Sequence, residues 1–262
     1  MLENVFKEKS AFIPFIMAGH PTVEATEQAI LALSEAGASL IELGVPFSDP
    51  VADGPVNQRA AEIALNNGMN LGRILAIVKS IRQQGCQTPI VLFSYFNPIL
   101  AYGETDFAID AKASGVDGVL IVDLPPEEGE TFYNQLQSKG LAVVLLISPT
   151  TNPNRFEVYR RVNPAFIYYI SRLAVTGAQK ALSPELANEL NRLRTYFPKH
   201  PIAVGFGIST LAQAETVAQL ADGVVIGSCL VDMMEKEGLN ALEMQAKQFV
   251  ATIQSRYPNG DR

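Results

Sequence analysis

Cysteine and histidine are nearly absent from the 262 residues: Cys86, Cys229, His20 and His200 are the whole supply. The cysteines stand far apart and make no CxxC pair, so neither a disulfide framework nor a zinc cage is expected. Basic blocks are missing as well. Lys and Arg number 20 against 27 Asp and Glu, and the formal charge of -7 is spread along the chain, which argues against a nucleic-acid partner. No apolar run approaches the ~20 residues that a membrane helix requires. The opening MLENVFKEKS carries acids and no apolar core stretch, so it does not read as a signal peptide. Only 18% of the residues are charged while 48% are hydrophobic, a balance that disfavours a disordered chain and supplies a large core. These absences lead to the expectation of a cytoplasmic globular protein poor in cofactors and metals.

What the chain does have is a series of short apolar runs: AFIPFIMAG (11–19), SLIELG (39–44), PIVLFSY (89–95), GVLIVD (118–123), AVVLLIS (142–148), AFIYYIS (165–171), IAVGFGIS (202–209) and DGVVIGS (222–228). Each is nearly continuous in Val, Ile, Leu and Phe, the composition of parallel strands covered on both faces. Helical patterns lie between them, as in 22–37, 71–85 and 211–222. Gly37, Gly85, Gly115 and Gly140 follow the last apolar turn of such segments, where a C-terminal cap belongs. AGASLIELG, SGVDGVLIVD and LADGVVIGS repeat one theme of helix exit, small or acidic residue, then strand. Eight strand–helix units without a Pro/Ser-rich linker, in a chain near the ~250 residues typical of the fold, predict an α/β protein. The expected architecture is a single (β/α)8 TIM barrel with a short N-terminal helix, one domain over residues 1–262. An open doubly wound sheet is weakened because no GxGxxG follows the first strand.

In such a barrel, reacting groups sit at C-terminal strand ends and on the loops beyond them. The strands are almost free of charge, which singles out Glu42 in LIELG and Asp123 at the end of GVLIVD. Alternation of Leu40, Glu42 and Gly44 toward the barrel axis would place the carboxyl in the mouth. Ionisation is costly there, so its pKa should rise toward neutrality, as a general acid–base requires. No strand run offers a Lys or Arg to pair with it. Asp49 and Asp53 follow on the loop VPFSDPVADGPV; turn chemistry explains either alone, and the pattern does not decide which of them reacts. A cap or loop anchor accounts for Asp123 as well as catalysis does. GFGIST (205–210) and IGSCLVD (226–232) leave strands seven and eight, where many barrels hold phosphate on backbone N–H groups. Gly207, Gly227 and Ser228 suit that task, with close helix–strand packing as the alternative. SRLAVTGA (171–178) reads either as a lid whose Thr176 reaches the carboxylate loop or as an ordinary connection.

FIPFIMAGHP, LIELGVPFSDPVADGP, GVLIVDLPPEE, SRLAVTGA, VGFGIS and VIGS, in this order and over nearly the whole length, make the chain resemble the tryptophan synthase alpha subunit family. The resemblance implies retro-aldol cleavage of indole-3-glycerol phosphate to indole and glyceraldehyde 3-phosphate, without metal or coenzyme in this chain. It also implies a partner, the pyridoxal-phosphate beta subunit, joined in an alpha2-beta2 heterotetramer. By position, Glu42 matches the family's acid–base glutamate and Asp53 its catalytic aspartate. Thr176 and Gly177 match lid residues, and Gly177, Gly207, Gly227 and Ser228 match phosphate contacts. Phe15, Tyr168 and, more weakly, Phe93 match the indole side, and Asp49 matches a position facing the beta subunit. One departure is Ala174, where the family lid carries Gly; if that backbone needs φ > 0, Ala costs ~1 kcal/mol or more. Among rivals, a Schiff-base aldolase needs a lysine that no strand run contains. A sugar-phosphate isomerase does not explain an apolar indole wall. A stand-alone indole-3-glycerol-phosphate lyase and a catalytically silent regulatory copy complete the alternatives.

Overall fold

The computed structural model describes residues 2–7, 10–171, 182–205 and 207–254. Eight parallel strands close on themselves in chain order: β1 (Ala11–Met17), β2 (Ile41–Gly44), β3 (Ile90–Ser94), β4 (Gly118–Ile121), β5 (Ala142–Ile147), β6 (Phe166–Ile170), β7 (Ile202–Gly205) and β8 (Gly223–Ile226). Each strand is shorter than the apolar run that predicts it; in all but β2 the last residues of the run leave the ladder and become the rim, whereas β2 loses Ser39 and Leu40 from its start. The helices are α1 (Val23–Glu35), α2 (Pro55–Asn66), α3 (Leu71–Gln83), α4 (Phe96–Tyr102), α5 (Glu104–Ser114), α6 (Pro126–Ser138), α7 (Phe156–Val162), α8 (Leu182–Tyr196), α9 (Leu211–Ala218), α10 (Ser228–Lys236) and α11 (Leu239–Gln254). Among the described residues, none of these helices is long and apolar enough to cross a membrane.

The period of two sorts the core into layers. Ile13, Leu40, Val91, Leu120, Val144, Phe166 and Val225 form a cluster inside the barrel. Their neighbours Phe12, Ile41, Leu92, Val119, Val143 and Val224 belong to the larger cluster between strands and helices. Leu40 and Ile41 thus fall on opposite sides, the alternation that sets Glu42 inward. The short N-terminal helix is a single 3-10 turn, Leu2–Asn4. Leu2 is buried in the inner cluster, and the Phe6 ring lies 5.1 Å from that of Phe166. These side chains cover the inner core from the N-terminal side.

Helix limits follow local chemistry. Thr22 and Asn70 cap α1 and α3 through backbone N–H groups of Ala25 and Arg73, and Thr210 with Gln213 forms a capping box on α9. Gly115 ends α5 at φ 95, a conformation that residues with a Cβ avoid. The helix predicted over 211–222 stops at Ala218. Asp222 is recruited instead to the start of β8, where its carboxylate accepts the Ile202 N–H at 2.9 Å.

Candidate functional site

The C-terminal mouth holds a cavity of about 330 Å³, whose wall includes Phe15, Glu42, Asp53, Phe93, Tyr168, Gly207, Gly227 and Ser228. Eight of the eleven positions that the family resemblance matches therefore meet in one space. Asp49 does not line it; the residue is exposed and accepts the Ser48 hydroxyl at 2.6 Å. Thr176 and Gly177, with Ala174, lie outside the described residues.

Glu42 is 0% exposed, and neither carboxylate oxygen has a hydrogen-bond partner among the described residues. Burial alone pushes its carboxyl up to about 8, so at neutral pH most molecules carry the proton. Around it stands an aromatic wall. Phe15 pairs with Glu42 across the β1–β2 ladder and meets Phe93 edge-on at 5.3 Å between ring centres. Gly44 makes room for this: a Cβ there would lie 2.7 Å from the Phe15 ring. Tyr168 is buried, and burial first, then repulsion from Glu42 and Asp53 once they are ionised, raise its phenol pKa well above the ordinary value.

The loop after β2 is fixed by two aromatic residues. The rings of Phe47 and Tyr95 lie 5.2 Å apart. The Tyr95 hydroxyl accepts the Ala52 N–H at 3.0 Å and donates to Asp53 Oδ2 at 2.9 Å. Gln58 Nε2 donates to the Asp53 carbonyl at 2.9 Å. Burial raises the Asp53 pKa, and hydrogen bonds from Tyr95 and Asn57 oppose the rise. Tyr95 was not singled out by sequence reasoning. The signal was present, since a tyrosine ending an apolar strand brings a polar tip to the rim. Asn57, Val122, Leu146 and Ile170, also on the wall, carried no such signal. Asp123 is a loop anchor: its Oδ1 accepts the Phe96 N–H at 2.7 Å, at the start of α4.

The other end of the cavity is built from small residues. Gly207 adopts φ 77, which favours glycine. Gly227 directly precedes α10, whose first residue is Ser228. A helix N-terminus offers N–H groups without intrahelical partners, and the Ser228 hydroxyl adds a donor. The described wall contains no Lys or Arg. The site thus joins a buried carboxylic acid and an apolar slot to an end suited to an anion held by backbone groups.

The sequence profile of the family described as tryptophan synthase alpha chain matches residues 2–257. The tryptophan synthase alpha chain of Pelobacter propionicus is 45% identical over 259 residues, covering 98% of this chain and 96% of that protein. That of Methylibium petroleiphilum is 45% identical over 247 residues, covering 94% of this chain and 90% of the other. The crystal structure of tryptophan synthase subunit alpha from Legionella pneumophila superposes with a TM-score of 0.87 at 35% identity, covering 96% of this chain and 97% of that one. The chain therefore belongs to the tryptophan synthase alpha chain family.

Proposed function

We propose that the chain is a carbon–carbon lyase that cleaves indole-3-glycerol phosphate to indole and glyceraldehyde 3-phosphate, for use in tryptophan biosynthesis. Glu42 carries this reading: a protonated carboxyl buried in the mouth, without a hydrogen-bond partner among the described residues, beside a slot that suits a flat aromatic ring. In the proposed reaction Glu42 gives its proton to indole carbon 3. Asp53 accepts the ring N–H and offsets the positive charge that grows on the indole. The Glu42 carboxylate then takes the proton of the neighbouring side-chain hydroxyl. The electron pair of the breaking bond neutralises the ring, and the hydroxyl carbon leaves as an aldehyde. One proton is given and one taken, so Glu42 ends as it began. A general acid–base of this kind contributes ~10²–10⁴-fold. Phe15, Phe93 and Tyr168 would hold the ring, and Gly207, Gly227 and Ser228 the phosphate, whose binding energy orients the reacting atoms from a distance.

By family resemblance, Thr176 and Gly177 complete this site as a lid, with Gly177 also on the phosphate. The proposed partner is a beta subunit in an alpha2-beta2 heterotetramer in the cytoplasm. Pyridoxal phosphate belongs to that subunit, and this chain uses no coenzyme of its own. Exposed Asp49, with Val51 beside it 86% exposed, is the proposed partner-facing edge. Residues 1–262 are taken as one domain. The test is to assay both products from indole-3-glycerol phosphate, with and without the beta subunit from the same source. Equimolar products and acceleration by the beta subunit are expected. High turnover unaffected by the beta subunit would make the chain a stand-alone lyase, and no products under either condition would refute the activity.

A further inference from the structure

Two helices start at the cavity, and a polar strap joins them away from it. α2 begins two residues after Asp53, and its first turn, Pro55, Val56 and Asn57, forms part of the cavity wall. α10 begins at Ser228, at the glycine end of the same cavity. The two helices pack on one another. The residues that α2 buries are Ala60, Ala61 and Ala64. Alanines allow close approach but offer no side-chain ridges, so they do little to fix how one helix slides or turns against the other.

Arg59 supplies a directional link. Its Nη2 donates to Glu235 Oε2 at 2.7 Å and stands 3.7 Å from Asp232 Oδ1, both on α10. His20 Nε2, on the chain leaving β1, meets the same Glu235 oxygen at 3.2 Å, and the His20 side chain is buried. The acceptor is therefore held from the core before Arg59 reaches it, which lowers the ordering cost that usually weakens a surface ion pair. The pair spans 176 residues of sequence, linking the helix after the Asp53 loop to the helix at the proposed phosphate end. None of these groups lines the cavity.

We propose that Arg59 is a positioning residue: an anion held at the N-terminus of α10 fixes, through Glu235 and Asp232, the first turn of α2 and hence Asp53. The effect on turnover rests on the reaction proposed above, whereas the coupling itself is measurable with an unreactive anion. The measurement is amide hydrogen exchange of segment 47–57, with and without glycerol 3-phosphate, in wild type, Arg59→Ala and Arg59→Lys. The anion should slow exchange of this segment in wild type. Arg59→Ala should lose that slowing while binding glycerol 3-phosphate within about twofold of wild type, and Arg59→Lys should keep part of it, since a lysine retains the charge but not the fork. In turnover, Arg59→Ala should lower kcat by about twofold to fivefold, the scale of one ion pair, and leave KM nearly unchanged. Raising salt to about 0.5 M should reduce the wild-type exchange response in the same direction, because a half-exposed pair is screened. This last readout stands even if Arg59→Ala fails to fold. No slowing in wild type, equal slowing in Arg59→Ala, or a loss of anion affinity parallel to the loss of kcat would each overturn the strap. A wild type that shows the exchange response but makes no indole would overturn the reaction and leave the strap standing.

Discussion

Glu42 is fully buried and no donor among the described residues reaches its carboxylate, so its ionisation costs the fold stability. Its carboxyl has a pKa of about 8 against an ordinary 4.5. Between those values the native state holds a proton that the unfolded chain has released, so stability falls as pH rises through the window. Glu42→Gln removes this titration. Urea unfolding of both proteins from pH 5 to 9 should show the variant gaining on wild type by up to ~1.4 kcal/mol per unit of pH, a few kcal/mol in all. A stability difference that does not change with pH would show that Glu42 titrates normally. Tyr95 makes a second prediction at this scale. Tyr95→Phe deprives Asp53 Oδ2 of a donor and the Ala52 N–H of its acceptor. An unsatisfied group of this kind costs about 1–3 kcal/mol. Under the proposed reaction kcat/KM should fall by about tenfold, read in the indole assay; an unchanged value would remove Tyr95 from the support of Asp53.

The strands were legible as elements because burial on both faces leaves runs of Val, Ile, Leu and Phe that no loop would carry. Glu42 was legible for the same reason, being a charge inside such a run with its side given by the period of two. The contacts between elements were not. The Tyr95–Asp53 hydrogen bond joins residues 42 apart, and nothing in either local pattern points to the other. The end of α9 was hidden because Asp222 continues a helical pattern until the barrel claims its carboxylate. At the start of α10, however, local sequence does carry a testable meaning. Gly227 precedes the helix, and a Cβ there would make only ordinary contact with Phe15, at 3.4 Å. Gly227→Asp should therefore fold, while its carboxylate repels an anion at the helix N-terminus. A tenfold or greater rise in KM corresponds to about 1.4 kcal/mol or more of lost binding. Unchanged KM and unchanged competition by glycerol 3-phosphate would place the phosphate elsewhere.

In the whole molecule, the inner core is covered from the N-terminal side by Leu2 and Phe6, while the cavity opens at the other end of the strands, under the Asp53 loop. Function at that mouth can be tuned by anything that packs on the loop. A beta subunit that prefers the productive loop arrangement by ~1.4 kcal/mol would raise its population up to tenfold when it is the minor state. Titrating the beta subunit at fixed chain concentration should therefore raise turnover to a plateau. In the proposed reaction one buried carboxyl moves both protons. The decisive experiment is steady-state indole release from indole-3-glycerol phosphate by wild type and Glu42→Gln, each saturated with the beta subunit, with folding checked by circular dichroism. The amide keeps the size of the side chain but cannot exchange the proton, so the rate should fall by ~10²–10⁴-fold. A folded Glu42→Gln protein that keeps more than about a tenth of the wild-type rate would show that Glu42 is not the acid–base.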